Sequence, residues 1–134
     1  MASTNKMASS RSPIKLGLGV GIFVLTLVTA LIHLYLGLGF GNTLFVLNGL
    51  GYLGLLAALQ LPIPQLARLR NVMRWVLVAY TALTIVLFFF MAPFYSVMGY
   101  VDKAIEVVLI ALLVTDAYTG SFERTSLTYE DSPV

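Results

Sequence analysis

The 134-residue chain contains no cysteine, a single histidine and few charged residues. Without cysteine it forms no disulfide, no thiolate metal site and no iron–sulfur ligation, and it has no cysteine nucleophile. With one histidine it cannot by itself hold a haem between two histidines of a membrane bundle. Charged residues make up 10% of the chain, against roughly 25% in soluble domains. These shortages exclude a cytosolic enzyme domain, whose surface would need more charge.

Hydrophobic residues are abundant instead. They make up 59% of the chain, or about 79 residues, which is close to the requirement of four membrane spans of ~20 residues each. The sequence therefore predicts an all-α protein, a four-transmembrane-helix bundle with short loops and polar N- and C-terminal tails. The predicted units are a polar tail (1–13), a transmembrane domain (14–118) with spans at about 14–38, 43–61, 75–91 and 100–118, and a second polar tail (119–134).

Turn-forming residues and prolines set the boundaries of these spans. Residues 39–42 (Gly-Phe-Gly-Asn) predict a tight turn, because glycine and asparagine tolerate positive φ, and Thr43 is a candidate N-cap for the second span. Pro62 and Pro64 end that span, and Pro93 ends the third. A cleaved signal peptide is the alternative for the first span, but its hydrophobicity continues well beyond the small-residue pattern at 28–30, which favours a retained anchor.

The basic residues predict the orientation. Seven of the eight Lys and Arg residues fall on one side of a four-span topology, and only Lys103 falls on the other. Because loops rich in Lys and Arg stay inside, we expect a multi-pass protein of a prokaryotic cell (inner) membrane with both termini cytoplasmic. The seven are Lys6, Arg11, Lys15, Arg68, Arg70, Arg74 and Arg124, the three middle arginines lying in the connection between the second and third spans.

Small residues indicate where helices pack. Nine of the eleven glycines precede residue 55, and small residues three or four positions apart let helix backbones approach in lipid. We expect close packing of the first two helices, whereas Phe88, Phe89 and Phe90 suit lipid or a neighbouring subunit. The candidate packing positions are Gly17, Gly21, Gly51, Gly54 and Ala58.

Four polar residues within the spans form a candidate site. His33, Asn48 and Glu106 each lie about 8–9 Å below the predicted outer boundary at ~1.5 Å per residue, and Lys103 stands one turn from Glu106. Intramembrane ionisable groups are functional candidates because burying them is costly. The functional interpretation is a proton-handling or quinone-headgroup pocket with His33 and Glu106 exchanging a proton. The structural interpretation is interhelical hydrogen bonding, at ~1 kcal/mol per bond.

Other chemistry is not predicted. One histidine and widely separated carboxylates lack the ligand spacing of a metal centre, no constellation for nucleophilic catalysis is present, and scattered basic residues do not suit nucleic acid. Asp116 is expected to be solvated at the inner end of the fourth span. We expect no enzymatic activity and no cofactor bound by this chain alone, while contact with quinone or lipid stays open.

Three functional hypotheses remain. The first is a non-catalytic accessory or stabilising subunit of a larger energy-transducing, electron-transport membrane complex, whose partners are other membrane subunits and the lipid bilayer. The second is a small oligomeric membrane transporter using Glu106, although four-helix drug exporters carry their glutamate in the first helix. The third is a quinone-associated membrane protein using His33 and Glu106.

The segments 33–37 (HLYLG), 47–54 (LNGLGYLG), 80–82 (YTA) and 102–107 (DKAIEV) resemble those of small uncharacterised four-helix membrane proteins of prokaryotes. The similarity covers roughly residues 15–118. In size and topology the chain also resembles supernumerary four-helix subunits of bacterial respiratory assemblies such as alternative complex III. That resemblance implies attachment to a complex whose haems and iron–sulfur clusters are bound by other chains, and it transfers no functional residue.

Overall fold

The computed structural model describes residues 12–91 and 96–130, with side chains up to residue 120. Throughout these ranges the regular secondary structure is helical, which confirms the all-α class. The helices are α1 (Pro13–Gly39), α2 (Thr43–Gln60), α3 (Pro64–Phe90) and α4 (Val97–Glu130). Among the described residues, α1, α2 and α3 are long and apolar enough to cross a membrane.

Proline and asparagine begin the first three helices. Pro13 and Pro64 occupy first-turn positions of α1 and α3, where the missing N–H costs nothing. The turn predicted at 39–42 is present, with Gly41 at φ +65°. Asn42, and not Thr43, is the N-cap of α2, because its extended backbone lets its side-chain oxygen accept hydrogen bonds from the amides of Leu44 and Phe45.

Two helices are longer than the sequence analysis expected. Helix α3 begins directly at Pro64, so Arg68, Arg70 and Arg74 belong to its first turns and not to a connection; arginine is a good helix former. Helix α4 continues to Glu130 through most of the predicted polar tail, because no proline occurs before Pro133 to stop it. The predicted tail residues 1–11 and 131–134, and the segment 92–95 with Pro93, lie outside the described residues.

The helices form a ring in chain order. Helix α1 packs against α2 and α4, and α3 packs against the same two helices. In the described residues no Cα atoms of the diagonal pairs, α1 with α3 and α2 with α4, lie within 8 Å of each other, so only side chains bridge the bundle axis. The core along the axis is apolar in one half and polar in the other. The buried core side chains are Ile22, Ala30, Tyr52, Leu59, Leu77, Leu109 and Leu113.

Glycines do allow close approach, but mostly at other positions than expected. A Cβ on Gly49 would lie 2.9 Å from the Ala30 carbonyl oxygen, and one on Gly37 would lie 2.7 Å from the Val46 amide nitrogen, so these two glycines set the contact between α1 and α2. The outcome for the predicted packing positions is mixed: Gly21 faces Leu112 and Gly51 faces the Tyr80 hydroxyl, whereas Gly17 and Gly54 have open space around the Cβ position and Ala58 is half-buried.

The three phenylalanines at the end of α3 differ in burial. Phe88 is buried and packs over Gly99 of α4, where a Cβ would lie 2.8 Å from its ring. Phe89 and Phe90 are exposed, at 57% and 80%. Only these two therefore present the bulky apolar surface that the sequence analysis assigned to all three.

Candidate functional site

One histidine and three charged residues meet inside the bundle. His33 comes from α1, and Asp102, Lys103 and Glu106 come from the first turns of α4; we call these four residues the charged cluster. None is more than 8% exposed. The three residues of α4 share a helix face because positions three and four apart are neighbours there, so one face of α4 carries the charge into the bundle.

Glu106 is bonded through both carboxylate oxygens. Lys103 Nζ donates to Oε2 at 2.6 Å. On the other side, the Tyr52 hydroxyl of α2 donates to Oε1 at 2.8 Å, and Thr84 Oγ1 of α3 lies 3.0 Å from the same oxygen. The carboxylate therefore ties α2 and α3 to α4.

Asp102 makes the corresponding link to α1. Thr29 Oγ1 donates to Asp102 Oδ1 at 2.5 Å, and Lys103 Nζ lies 3.1 Å from Oδ2. A single ammonium thus pairs with two carboxylates. Such pairing is what makes buried charges tolerable, because an isolated one costs several kcal/mol.

His33 lies at the edge of this network. Its Nδ1 is 2.9 Å from the Thr29 carbonyl oxygen and 3.6 Å from Asp102 Oδ2. Because a carbonyl oxygen only accepts, Nδ1 carries the proton in the shorter contact. Nε2 lies 3.9 Å from Glu106 Oε1, which is beyond hydrogen-bond distance.

The structure brings together three of the four predicted site residues. His33, Lys103 and Glu106 meet in the charged cluster. Asn48 is half-buried beside it, and its backbone carbonyl accepts a hydrogen bond from Tyr80 at 3.1 Å.

Four residues that the prediction omitted complete the network: Thr29, Tyr52, Thr84 and Asp102. A sequence signal exists for α1, where Thr26, Thr29 and His33 recur at three- and four-residue spacing on one face. Tyr52 had no such signal, because a lone tyrosine in a span is as well suited to a membrane interface.

The cluster also bears on metal binding. His33, Asp102 and Glu106 each offer a ligand atom, and these atoms lie within 4.8 Å of one another. Asp102 and Glu106 lie four residues apart on α4, and helix packing brings His33 of α1 to them. The expectation that the candidate ligands are too widely separated for a shared centre is therefore corrected for these three residues. Lys103 nevertheless holds the cationic position between the two carboxylates, so the arrangement suits an ammonium more than a metal ion.

A cavity of about 270 Å³ adjoins the cluster between α2 and α3. Its walls are mainly apolar, and His33, Lys103, Thr84 and Tyr80 lie along it. The cluster is therefore not sealed in on every side: its histidine and lysine border a space large enough for a small molecule.

The opposite end of the bundle holds another ion pair. Arg74 Nε lies 2.7 Å from Asp116 Oδ2, and both side chains are about one-fifth exposed. Asp116 is thus paired with α3, whereas the sequence analysis expected it to be solvated. Trp75 and Tyr118 contact edge-on beside this pair, with ring centroids 6.4 Å apart.

No protein-family model, curated protein or solved structure matches the chain.

Proposed function

We propose that the chain is a multi-pass protein of a prokaryotic cell membrane, with all four helices crossing the bilayer and both termini cytoplasmic. Three helices have the length and apolar character for this. Support for the fourth span is its packing between α1 and α3 and the inward direction of its charged residues, which are buried against the other helices. The basic residues concentrated on one side support the orientation.

The proposed role is that of a non-catalytic accessory or stabilising subunit of an electron-transport membrane complex. The observation that carries it is the pairing of the charged cluster: Glu106 bonds to residues of α2, α3 and α4, and Asp102 bonds to α1. A network satisfied in this way fixes the helices relative to one another. It favours a rigid structural element over a moving carrier.

The apolar half of the core also favours a structural subunit over a transporter. Below the charged cluster, Leu77, Leu109 and Leu113 are fully buried along the axis, and Ile22 and Leu59 pack with them. Across the described side chains, no second buried ionisable group continues the route from Glu106 toward Asp116. The described side chains of a single copy thus offer a proton no continuous chain of ionisable groups.

The electron-transport setting is supported by the resemblance in size and helix number to small respiratory subunits. Exposed apolar side chains such as Phe89 and Phe90 suit lipid or a neighbouring membrane subunit. Haems and iron–sulfur clusters would belong to the partner chains.

The test is purification of the tagged full-length chain from its native membrane in mild detergent, followed by identification of co-purifying proteins. We expect stoichiometric recovery of subunits of one electron-transport complex, absent from a parallel purification of an unrelated tagged four-helix protein. Recovery of a monomer or homodimer alone contradicts the proposal. Substrate-dependent proton flux in liposomes would then favour the transporter.

A further inference from the structure

The cavity beside the charged cluster opens toward the lipid. Its mouth is rimmed by leucines of α2 and α3 that are strongly exposed: Leu44 at 63%, Leu47 at 58% and Leu83 at 54%. In a membrane these side chains face acyl chains. The opening therefore admits molecules dissolved in the bilayer in preference to water-soluble ones.

The inner end of the cavity is polar. There His33 is 2% exposed, and its Nδ1 is engaged by the Thr29 carbonyl while Nε2 lies beyond hydrogen-bond distance of the nearest carboxylate oxygen. An imidazole nitrogen accepts a hydrogen bond in the neutral ring and donates one in the charged ring. Nε2 thus suits a ligand group that exists both as a carbonyl and as a hydroxyl.

The size and walls of the cavity narrow the ligand class. About 270 Å³ is just below the usual range of ligand pockets, roughly 300–1,000 Å³, and is suited to one substituted ring whose tail leaves through the mouth. Phe45, Tyr80 and Phe88 line the walls and offer aromatic faces or edges to such a ring.

From this geometry we infer that the cavity binds the headgroup of a lipid-soluble quinone or quinol, with one ring oxygen hydrogen-bonded to His33 Nε2 and the tail directed past Leu47 and Leu83 into the bilayer. The inference goes beyond the subunit role and does not depend on it. A subunit with this site would hold a quinone without possessing a redox centre of its own.

The test uses the full-length protein in phosphatidylcholine nanodiscs and decyl-ubiquinone as the probe, with binding measured by equilibrium dialysis. We expect saturable binding of one molecule per chain. His33→Phe, which keeps an aromatic ring but removes the nitrogen, should weaken binding at least tenfold. The thermal unfolding of each variant, followed by circular dichroism, verifies that it is folded.

A second pair of variants keeps the test decisive if His33→Phe does not fold. Leu87 also lines the cavity and is 45% exposed, so Leu87→Trp should place a larger side chain in the cavity and abolish binding. Leu31→Trp, on the exposed face of α1 and away from the cavity, should leave binding unchanged. The inference is overturned if binding does not saturate, if Leu87→Trp binds like the parent, or if decane competes as well as unlabelled decyl-ubiquinone, which would identify the occupant as an acyl chain. Co-purification of a complex tests the subunit proposal alone, so the subunit proposal and the quinone-binding inference can fail separately.

Discussion

Lys103 Nζ and Glu106 Oε2 lie 2.6 Å apart on one face of α4, with side-chain exposures of 10% and 0%. The pair is further enclosed by Tyr52 and by the second carboxylate, that of Asp102. A surface pair at this spacing contributes little because water competes for both ions. This pair is shielded from water, so removing either partner leaves the other charge buried.

Lys103→Met should destabilise the protein strongly, by about 3–5 kcal/mol, because it leaves two buried carboxylates without their cation. Glu106→Gln should cost less, because Lys103 keeps Asp102 as a partner. The double variant should lose clearly less free energy of unfolding than the two single variants lose in sum. The free energy of unfolding in mild detergent, measured by denaturant titration with circular dichroism, gives the coupling. Lys103→Arg, which keeps the charge, is the matched control. Additivity within ~0.5 kcal/mol would show that the two groups are not coupled.

The ion pair at the other end of the bundle should behave differently. Because Arg74 and Asp116 are partly exposed, Asp116→Asn should cost less than about 1 kcal/mol at low ionic strength. The loss of stability caused by Asp116→Asn should vanish near 1 M salt, where the screening length is ~3 Å. Unfolding in a salt series measures both effects. Glu106→Gln in the same series is the control, and a penalty that salt abolishes there would mean that water reaches the cluster.

Gly49 and Gly54 form a matched pair for the packing of α1 and α2. Gly49→Ala should lower stability by about 1–3 kcal/mol, because the new methyl group meets the Ala30 carbonyl oxygen and the Leu34 side chain. Gly54→Ala meets no atom within 4 Å and should be neutral or slightly stabilising, since alanine is the better helix former. Thermal unfolding in detergent compares the two. Equal melting temperatures would place the close contact elsewhere.

The absence of cysteine makes the proposed topology easy to test. Single-cysteine variants Phe40→Cys, Ile63→Cys and Thr119→Cys place a thiol after α1, after α2 and just beyond the proposed fourth span within α4, at positions that are all exposed. In intact cells a membrane-impermeant maleimide should label only Phe40→Cys, and the other two should react after permeabilisation. Labelling of Thr119→Cys in intact cells would show that α4 does not cross.

The sequence predicts much of the fold because composition and turn residues act locally. Apolar runs define three of the helices, and the Gly-rich turn at 39–42 appears where expected. Helix ends are predicted less well: Arg68 and Arg70 look like loop residues by charge, yet the backbone after Pro64 is already helical.

The depth below the predicted outer membrane boundary places His33 and Glu106 at the same level, and the structure does bring these two residues together. Depth does not give the rotation of each helix about its own axis, and this rotation decides which side chains face each other inside the bundle. Asn48 therefore matched in height but contributes its backbone carbonyl, whereas Tyr52, one turn further along α2, reaches Glu106. Likewise, residue spacing selected Gly54 and not Gly49 as a packing position, whereas the structure places Gly49 against α1 and leaves open space at Gly54.

The charges carried by α4 have a consequence for how the protein is made. Each of Asp102, Lys103 and Glu106 would oppose release of an isolated helix from the translocon into lipid, because an ionised side chain within a span is costly unless it is paired. Their partners Thr29, Tyr52 and Thr84 are all synthesised earlier. In the proposed topology, α1 to α3 therefore enter the bilayer on their own hydrophobicity, and α4 follows only by docking against them, so that integration of the last segment and completion of the tertiary structure are a single event.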